Sequence, residues 1–197
     1  MSRDMGWIQT IAENGQEVVD MTIHAFRVAE DSRVLLPVQV NLDGFILTHM
    51  IEPILMPDKS EVDAYLPPYK PVIRLDPQNP VTFGPVGMPD VYTEAKMAQD
   101  VAFKNSKSVI VEAWKEFGDK FGRYYKPVET YKAEDAETLV VTMGSLSETA
   151  MSAIDHLRDA GQKVGLVKIR LWRPFPTVEF FDAVKGAKSL VVLGRAM

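Results

Sequence analysis

The sequence predicts an α/β protein built from two parallel-sheet domains, and three observations predict it. An amphipathic helical pattern over residues 16–30 runs through a short polar connection, residues 30–33, into an apolar stretch rich in β-branched residues at 35–40; helix, short loop and all-apolar strand is the rhythm of a doubly wound sheet. From Thr138 to Leu193 the pattern alternates as βαβαβ, which calls for parallel strands joined by right-handed crossovers. Between the two regions lie Pro57, Pro67, Pro68, Pro71, Pro77, Pro80 and Pro85, a run that admits neither a long helix nor a central strand.

Taken in order, residues 7–11 fit a strand. In the helix at 16–30, Val18, Thr22, Ala25, Phe26 and Ala29 share one face, Glu17, Asp20, Arg27 and Glu30 fall elsewhere, and Asn14 or Gly15 is placed to cap it. Residues 35–40 read as a strand buried on both faces, because apolar side chains do not alternate with polar ones. The strand breaks at Asn41-Leu42-Asp43-Gly44, and Phe45 to His49 read as the first turn of a helix. The carboxyl end of such a strand is where open α/β sheets hold ligands.

Proline fixes φ and removes a ladder donor, so residues 53–89 are expected to run as an extended arm. One short helix fits at 60–66, capped by Ser60 with Asp63 three residues on. Tyr65, Tyr69, Ile73, Leu75 and Phe83 make the arm too apolar to stay free in water, so it is expected to pack on its own domain or on a partner subunit. Residues 90–121 read as one long helix with Pro89 at its start, a seam of Val91, Ala95, Ala98, Ala102, Val109 and Ala113, and a stop at 118–123. Residues 126–135 are a polar linker, which divides the chain into a domain of residues 1–126 and a domain of residues 133–197. In the second, strands at 138–143, 163–171 and 190–193 alternate with helices at 146–160 and 177–185. A parallel sheet with only Gly194 to Met197 beyond its last strand is expected of a truncated chain, or of one whose partner supplies the cover.

Composition excludes several function classes. The 197 residues carry a net charge of -5, which disfavours a surface that neutralises nucleic-acid phosphates. No run of about 18 apolar residues is present to span a membrane, and the N-terminus lacks the apolar core of a signal peptide, so a cytoplasmic location is expected. With no cysteine there is no disulfide, no thiolate zinc site and no ordinary iron–sulfur ligation in this chain. The histidines, His24, His49 and His156, are far apart in sequence, which disfavours a side-chain metal site.

Each residue that might carry chemistry also has a structural role open to it. Gly144-Ser145 at a strand-to-helix turn suits an anion at a helix N-terminus, or simple capping by Ser145 or Ser147. Asp43 and Glu52 suit acid–base work as a pair, or turn formation and solvation separately. His49 suits a ligand contact or a hydrogen-bonded scaffold. Arg170 and Arg173, on either side of Trp172, suit a phosphate or carboxylate clamp, or a bridge to an acidic partner surface.

Several stretches, in order along nearly the whole chain, resemble the alpha subunit of the pyruvate:ferredoxin oxidoreductase (pyruvate synthase) family and its 2-oxoacid oxidoreductase relatives. They are Ser2-Arg3-Asp4-Met5-Gly6-Trp7-Ile8-Gln9, Ala25-Phe26-Arg27-Val28-Ala29-Glu30-Asp31, Asn41-Leu42-Asp43-Gly44-Phe45-Ile46-Leu47-Thr48-His49, Leu66-Pro67-Pro68-Tyr69, Asp76-Pro77-Gln78-Asn79-Pro80, Val141-Thr142-Met143-Gly144-Ser145 and Arg173-Pro174-Phe175-Pro176. The Asp43 to His49 segment and the arginine–aspartate start look more like the pyruvate branch than the branched-chain or 2-oxoglutarate branches.

The resemblance implies the back part of a thiamine-diphosphate pyrimidine-type domain followed by a transketolase-C-terminal-like domain. It implies an enzyme that oxidatively decarboxylates pyruvate to acetyl-CoA and carbon dioxide, reversibly, with ferredoxin or flavodoxin as electron acceptor. Thiamine diphosphate with magnesium would serve the complete enzyme, iron–sulfur clusters would sit on other subunits or domains, and no cofactor is expected on this chain alone. Implied partners are beta-, gamma- and delta-type subunits or fused domains. The family's cofactor-activating glutamate, its substrate-holding threonine and arginine and its Gly-Asp-Gly diphosphate motif have no match here, so the chain is expected to be an internal fragment, inactive alone, and no catalytic residue carries over. Asp43, Thr48 and His49 match a family segment and are the candidates for lining the cofactor region or a subunit contact. Another 2-oxoacid branch, such as oxalate or 2-oxobutyrate, and a non-catalytic interaction module of the same fold are the alternatives.

Overall fold

A computed structural model describes residues 2–194; Met1 and residues 195–197, the tail that the sequence places after its last strand, lie outside the described residues. The α/β class holds, with two mixed sheets. In the first sheet, of order β2-β1-β6, β1 (Ile8–Ile11) is central, parallel to β2 (Val38–Asn41) and antiparallel to β6 (Leu171–Arg173). The second has order β3-β5-β4-β7: β4 (Thr138–Thr142) runs parallel to β5 (Val164–Ile169) and to β7 (Ser189–Val192), while β3 (Val128–Tyr131) lies antiparallel on β5.

Both antiparallel strands depart from the sequence expectation. The polar linker contains β3: its Val128 is buried and its Glu129 faces buried cations, so a strand forms where the composition reads as a loop. The expected strand at 163–171 is cut at Arg170, after which the chain crosses into the first sheet as β6. Main-chain bonds mark the crossing: Ile11 N–H donates to the Arg170 carbonyl at 2.8 Å, and Arg170 N–H donates to the Pro127 carbonyl at 3.0 Å.

The helix α1 (Gly15–Ala29) also turns differently from the expectation. It buries Glu17, Asp20, Met21, His24 and Val28, and leaves Phe26 54% exposed. The carboxylates go inside because cations wait there: Arg123 grips Asp20 through two hydrogen bonds of 2.6 and 2.8 Å, and Arg170 grips Glu17. The apolar seam of Ala25, Phe26 and Ala29 therefore faces outward, beside Val38 and Val40. β2 is half-buried along its length and forms a sheet edge, so it is not the doubly buried strand expected; Pro37 and a left-handed Leu35 (φ 46°) precede it.

The long helix α3 (Pro89–Phe121) is as expected, ended by Gly122 at φ 72°. Its second half carries the first core: Val109, Ile110, Ala113 and Trp114 pack with Ile8, Met21, Val28 and Leu171. Its first half is exposed, as are Ile73, Leu75, Phe83 and Val86 in the arm before it. The arm is anchored at its start. Gln16 binds both the N–H and the carbonyl of Leu55, and the hydroxyl of Tyr65, from α2 (Lys59–Tyr65), donates to the Ala113 carbonyl at 3.0 Å. The short helix is capped at Asp58, whose N–H donates to Glu61, in place of Ser60.

The helices α4 (Leu146–Asp159) and α5 (Thr177–Val184) cover the second sheet through Ile154 and through Phe180 and Ala183. All four residues of β7 are exposed. His24 lies fully buried, its ring stacked on Trp114 at 4.9 Å and its Nε2 donating to the Ile110 carbonyl at 3.1 Å. Burial pulls its pKa down to about 4.

Two predictions follow from this core. Trp114→Ala should cost about 3–5 kcal/mol in urea unfolding, while Val111→Ala on the exposed side of the same helix should stay within about 1 kcal/mol. The unfolded chain binds a proton at His24 more readily than the folded chain does. Its stabilising contribution is therefore complete above the ordinary histidine pKa and is lost as pH falls from there toward about 4. His24→Gln should flatten that part of the stability–pH curve.

Candidate functional site

The carboxyl ends of β1, β2 and β4 meet in one crevice, the edge at which α/β sheets place ligands. Two helices start there, and each exposes orphan N–H groups that a carboxylate satisfies well. Asn14 caps α1 by accepting from Glu17 N–H at 2.9 Å, and its amide donates to Glu148 of α4 at 2.7 Å. Glu52 comes back from the arm to accept from Gly15 N–H at 2.9 Å. Asp43 reaches across from the β2 loop to accept from Ser145 N–H at 2.7 Å.

The anion position at the α4 N-terminus is thus filled by Asp43 of the same chain. Neither serine caps the helix: Ser145 Oγ is buried without a hydrogen-bond partner, and Ser147 Oγ pairs with Thr142 Oγ1 at 2.9 Å. Gly144 permits the approach. It sits at φ 68°, and a Cβ there would fall 2.7 Å from Asp43 Oδ2. Asp43 and Glu52 are not an acid–base pair; each serves the start of a different helix.

Residues 45–49 form successive turns, not the expected helix start, because Phe45 takes φ 71°. A bulky residue in the left-handed region is a costly exception. The turns bring Thr48 and His49 together at 2.9 Å, with Phe45 N–H donating to Thr48 Oγ1 and the Phe45 ring 5.0 Å from that of His49. Thr48, His49 and Phe45 are exposed, so two of the three candidates share an outward-facing turn while Asp43 is engaged beneath it.

The arginines divide as well. Arg173 is partly exposed, reaches Asp4 at 3.4 Å and lies over the Trp172 ring. Arg170 is 1% exposed and is spent on Glu17 and Glu129 of its own chain, so it clamps no external anion. Glu13, Glu17, Glu129 and Lys168 of this cluster were not singled out by the sequence, where each is an ordinary charge; a lysine alternating with arginine inside an apolar strand was the available signal. Among the described residues no three of His, Asp and Glu converge as a metal site.

Comparison with known proteins places the chain. A family model described as pyruvate flavodoxin/ferredoxin oxidoreductase, thiamine diphosphate binding, matches residues 1–115, and one described as pyruvate:ferredoxin oxidoreductase core domain II matches residues 136–197. Pyruvate synthase subunit PorA of Methanothermobacter thermautotrophicus is 46% identical over 98% of this chain and 50% of its own length. The PorA of Pyrococcus furiosus is 47% identical over 98% of this chain and 49% of its own. Ketoisovalerate oxidoreductase subunit VorA of Pyrococcus horikoshii is 42% identical over 98% and 49%. The chain spans about half the length of these relatives. A solved 2-oxoglutarate:ferredoxin oxidoreductase from Magnetococcus marinus shares the fold at a TM-score of 0.59 and 18% identity, over 94% of this chain and 34% of that one.

Removing the Asp43 carboxylate should behave as loss of a helix cap. Asp43→Ala is expected to cost about 1 kcal/mol in denaturant unfolding. Gly144→Ala adds left-handed strain to the clash and should cost about 2 kcal/mol. The double variant should cost less than the sum, since both changes break one contact.

Proposed function

Because the chain belongs to the pyruvate flavodoxin/ferredoxin oxidoreductase family, we propose that it is the wall-building portion of a pyruvate synthase alpha-type subunit. The enzyme it serves would convert pyruvate and coenzyme A, with an oxidised ferredoxin or flavodoxin, to acetyl-CoA, carbon dioxide and reduced carrier. The supporting observation is the 46–47% identity to pyruvate synthase subunits along nearly the whole chain. Thiamine diphosphate, held with magnesium, would supply the carbanion chemistry, and iron–sulfur clusters on other subunits or domains would take the electrons. The role of this chain's own residues is positional. Asp43 ties the β2 loop to α4, and Glu52 ties the arm to α1, so the exposed Thr48–His49 turn is presented from a fixed crevice to the cofactor region or a neighbouring subunit.

We also propose that beta-, gamma- and delta-type subunits or fused domains cover the exposed apolar arm, the outer seam of α1 and the bare face of β7. Ile73, Leu75, Phe83, Phe26 and Val192 are each at least half exposed, more apolar surface than a lone domain leaves in water. The division into units of residues 1–126 and 133–197 belongs to the same proposal, as does a cytoplasmic location; among the described residues no helix is long and apolar enough to cross a membrane.

The test is reconstitution with a partner that bears a diphosphate-binding motif, followed by pyruvate- and coenzyme-A-dependent reduction of ferredoxin. Pyruvate should be turned over at least tenfold better than 2-oxoisovalerate, the comparison that the VorA similarity makes necessary; the reverse preference would assign another branch. Failure of any such partner to associate would leave the interaction-module alternative. Phe83→Asp should weaken that association while leaving the melting temperature of the isolated chain unchanged, since the side chain is 53% exposed.

A further inference from the structure

The junction between the two sheets holds a cluster of charges for which the proposed function gives no use. Glu13 stands on the turn between β1 and α1, Glu17 on α1, Glu129 on β3, Lys168 on β5, and Arg170 on the crossing between β5 and β6. Arg170 is shared by Glu17, through contacts of 2.7 and 3.1 Å, and by Glu129 at 2.8 Å. Lys168 is shared by Glu13 at 2.9 Å and Glu129 at 3.2 Å. The Tyr125 ring closes the far side of Arg170, while Asp20, further along α1, is fully taken by Arg123 and Tyr125. Three carboxylates thus face two cations. The side chains of Glu13, Glu17 and Arg170 are 4%, 7% and 1% exposed, so water does little to absorb the excess. Glu13 is the least well served: its Oε1 is buried without a hydrogen bond and lies 3.6 Å from Arg170. In a dry site the group with the weakest partners gives up its charge.

We propose that Glu13 is the carboxyl of the five-residue cluster that takes up the charge-balancing proton, and that the cluster is a pH-sensitive clasp between the two sheets. With Glu13 neutral, Glu17 and Glu129 balance Lys168 and Arg170; ionising Glu13 leaves one buried negative charge over and loosens the clasp. The directions of titration agree. Burial pushes the Glu13 carboxyl up against the pull of Arg170 and Lys168, and the neighbouring Glu17 adds to the push. Glu129 is held below its ordinary value, because Arg170 and Lys168 outweigh its burial.

The two glutamates act in opposite senses. The folded state holds the Glu13 proton more tightly than the unfolded chain, so that contribution is complete below the ordinary carboxylate range and declines as pH rises through the folded-state value. The Glu129 contribution is present above the ordinary carboxylate range and is lost as pH falls through its lowered value.

Denaturant unfolding of the 197-residue chain and of Glu13→Gln, from about pH 5 to about pH 9, reads the clasp. The unfolding constant of the original chain relative to the variant should rise with pH, about tenfold for each unit by which the Glu13 pKa is raised. A parallel pH dependence in the two proteins would overturn the proposal. Infrared spectra with isotope-labelled glutamate give a second readout that needs no folded variant. A neutral-carboxyl band that outlasts those of the ordinary glutamates as pH rises is expected, and its absence would overturn the proposal equally.

Discussion

The buried guanidinium of Arg170 is the constraint on which the rest of the arrangement depends. It lies at the point where the chain leaves the second sheet and enters the first, so its backbone bonds both ways, to Ile11 and to Pro127. A fully desolvated cation is tolerated only with carboxylates on it, and taking one of them away costs far more than the pair contributes. Glu17 supplies one of those carboxylates from α1 and Glu129 the other from β3. The junction is thereby specified by charge geometry as well as by apolar contact, since guanidinium and carboxylate must meet edge to edge.

From that constraint the orientation of α1 follows. Glu17 must point inward to reach Arg170, and Asp20, about one turn on, must then do the same, where Arg123 and Tyr125 receive it. With those positions turned inward, helical periodicity sends Ala25, Phe26 and Ala29 outward. The same logic governs the crevice. Carboxylates from distant loops, Asp43 and Glu52, satisfy the starts of α4 and α1, so each helix end also fixes a loop. A helix N-terminus that is free in many folds as an anion site is here a tie between segments over a hundred residues apart.

Much of this architecture was legible in the sequence. The long helix, its glycine stop, the strands at 8–11 and 138–142 and both helices of the second unit were marked by period, capping residues and proline placement. Misreadings came where electrostatics overrode hydrophobic pattern. The apolar stripe of α1 lies outward, and paired carboxylates occupy its buried face. Residues 128–131 read as linker because Glu129 and the flanking lysines are polar, although Glu129 is consumed by Arg170. The cut at Arg170 was invisible because a strand that changes sheets keeps its apolar alternation through the change. Of the candidate residues, Asp43 follows the end of β2, and its carboxylate pairs with Ser145 N–H at the start of α4, a pairing that sequence spacing does not report.

The junction between the sheets buries Glu13, Glu17, Asp20, Lys168 and Arg170, while large apolar side chains of the arm, α1 and β7 face water. Hydrophobic burial is nearly indifferent to direction, so exposed apolar surface is cheap to commit to any neighbour and costly to leave bare. Buried ion pairs are the reverse: they add little net stability but tolerate only one geometry. The two kinds of surface divide the work: the charged centre fixes the two sheets in one relation, and the apolar periphery leaves burial still to be gained. Along α3 the same division is visible: the well-packed second half continues without interruption into a mostly exposed first half, held where Ala102 and Phe103 meet the core and where Gln99 donates to the Met5 carbonyl.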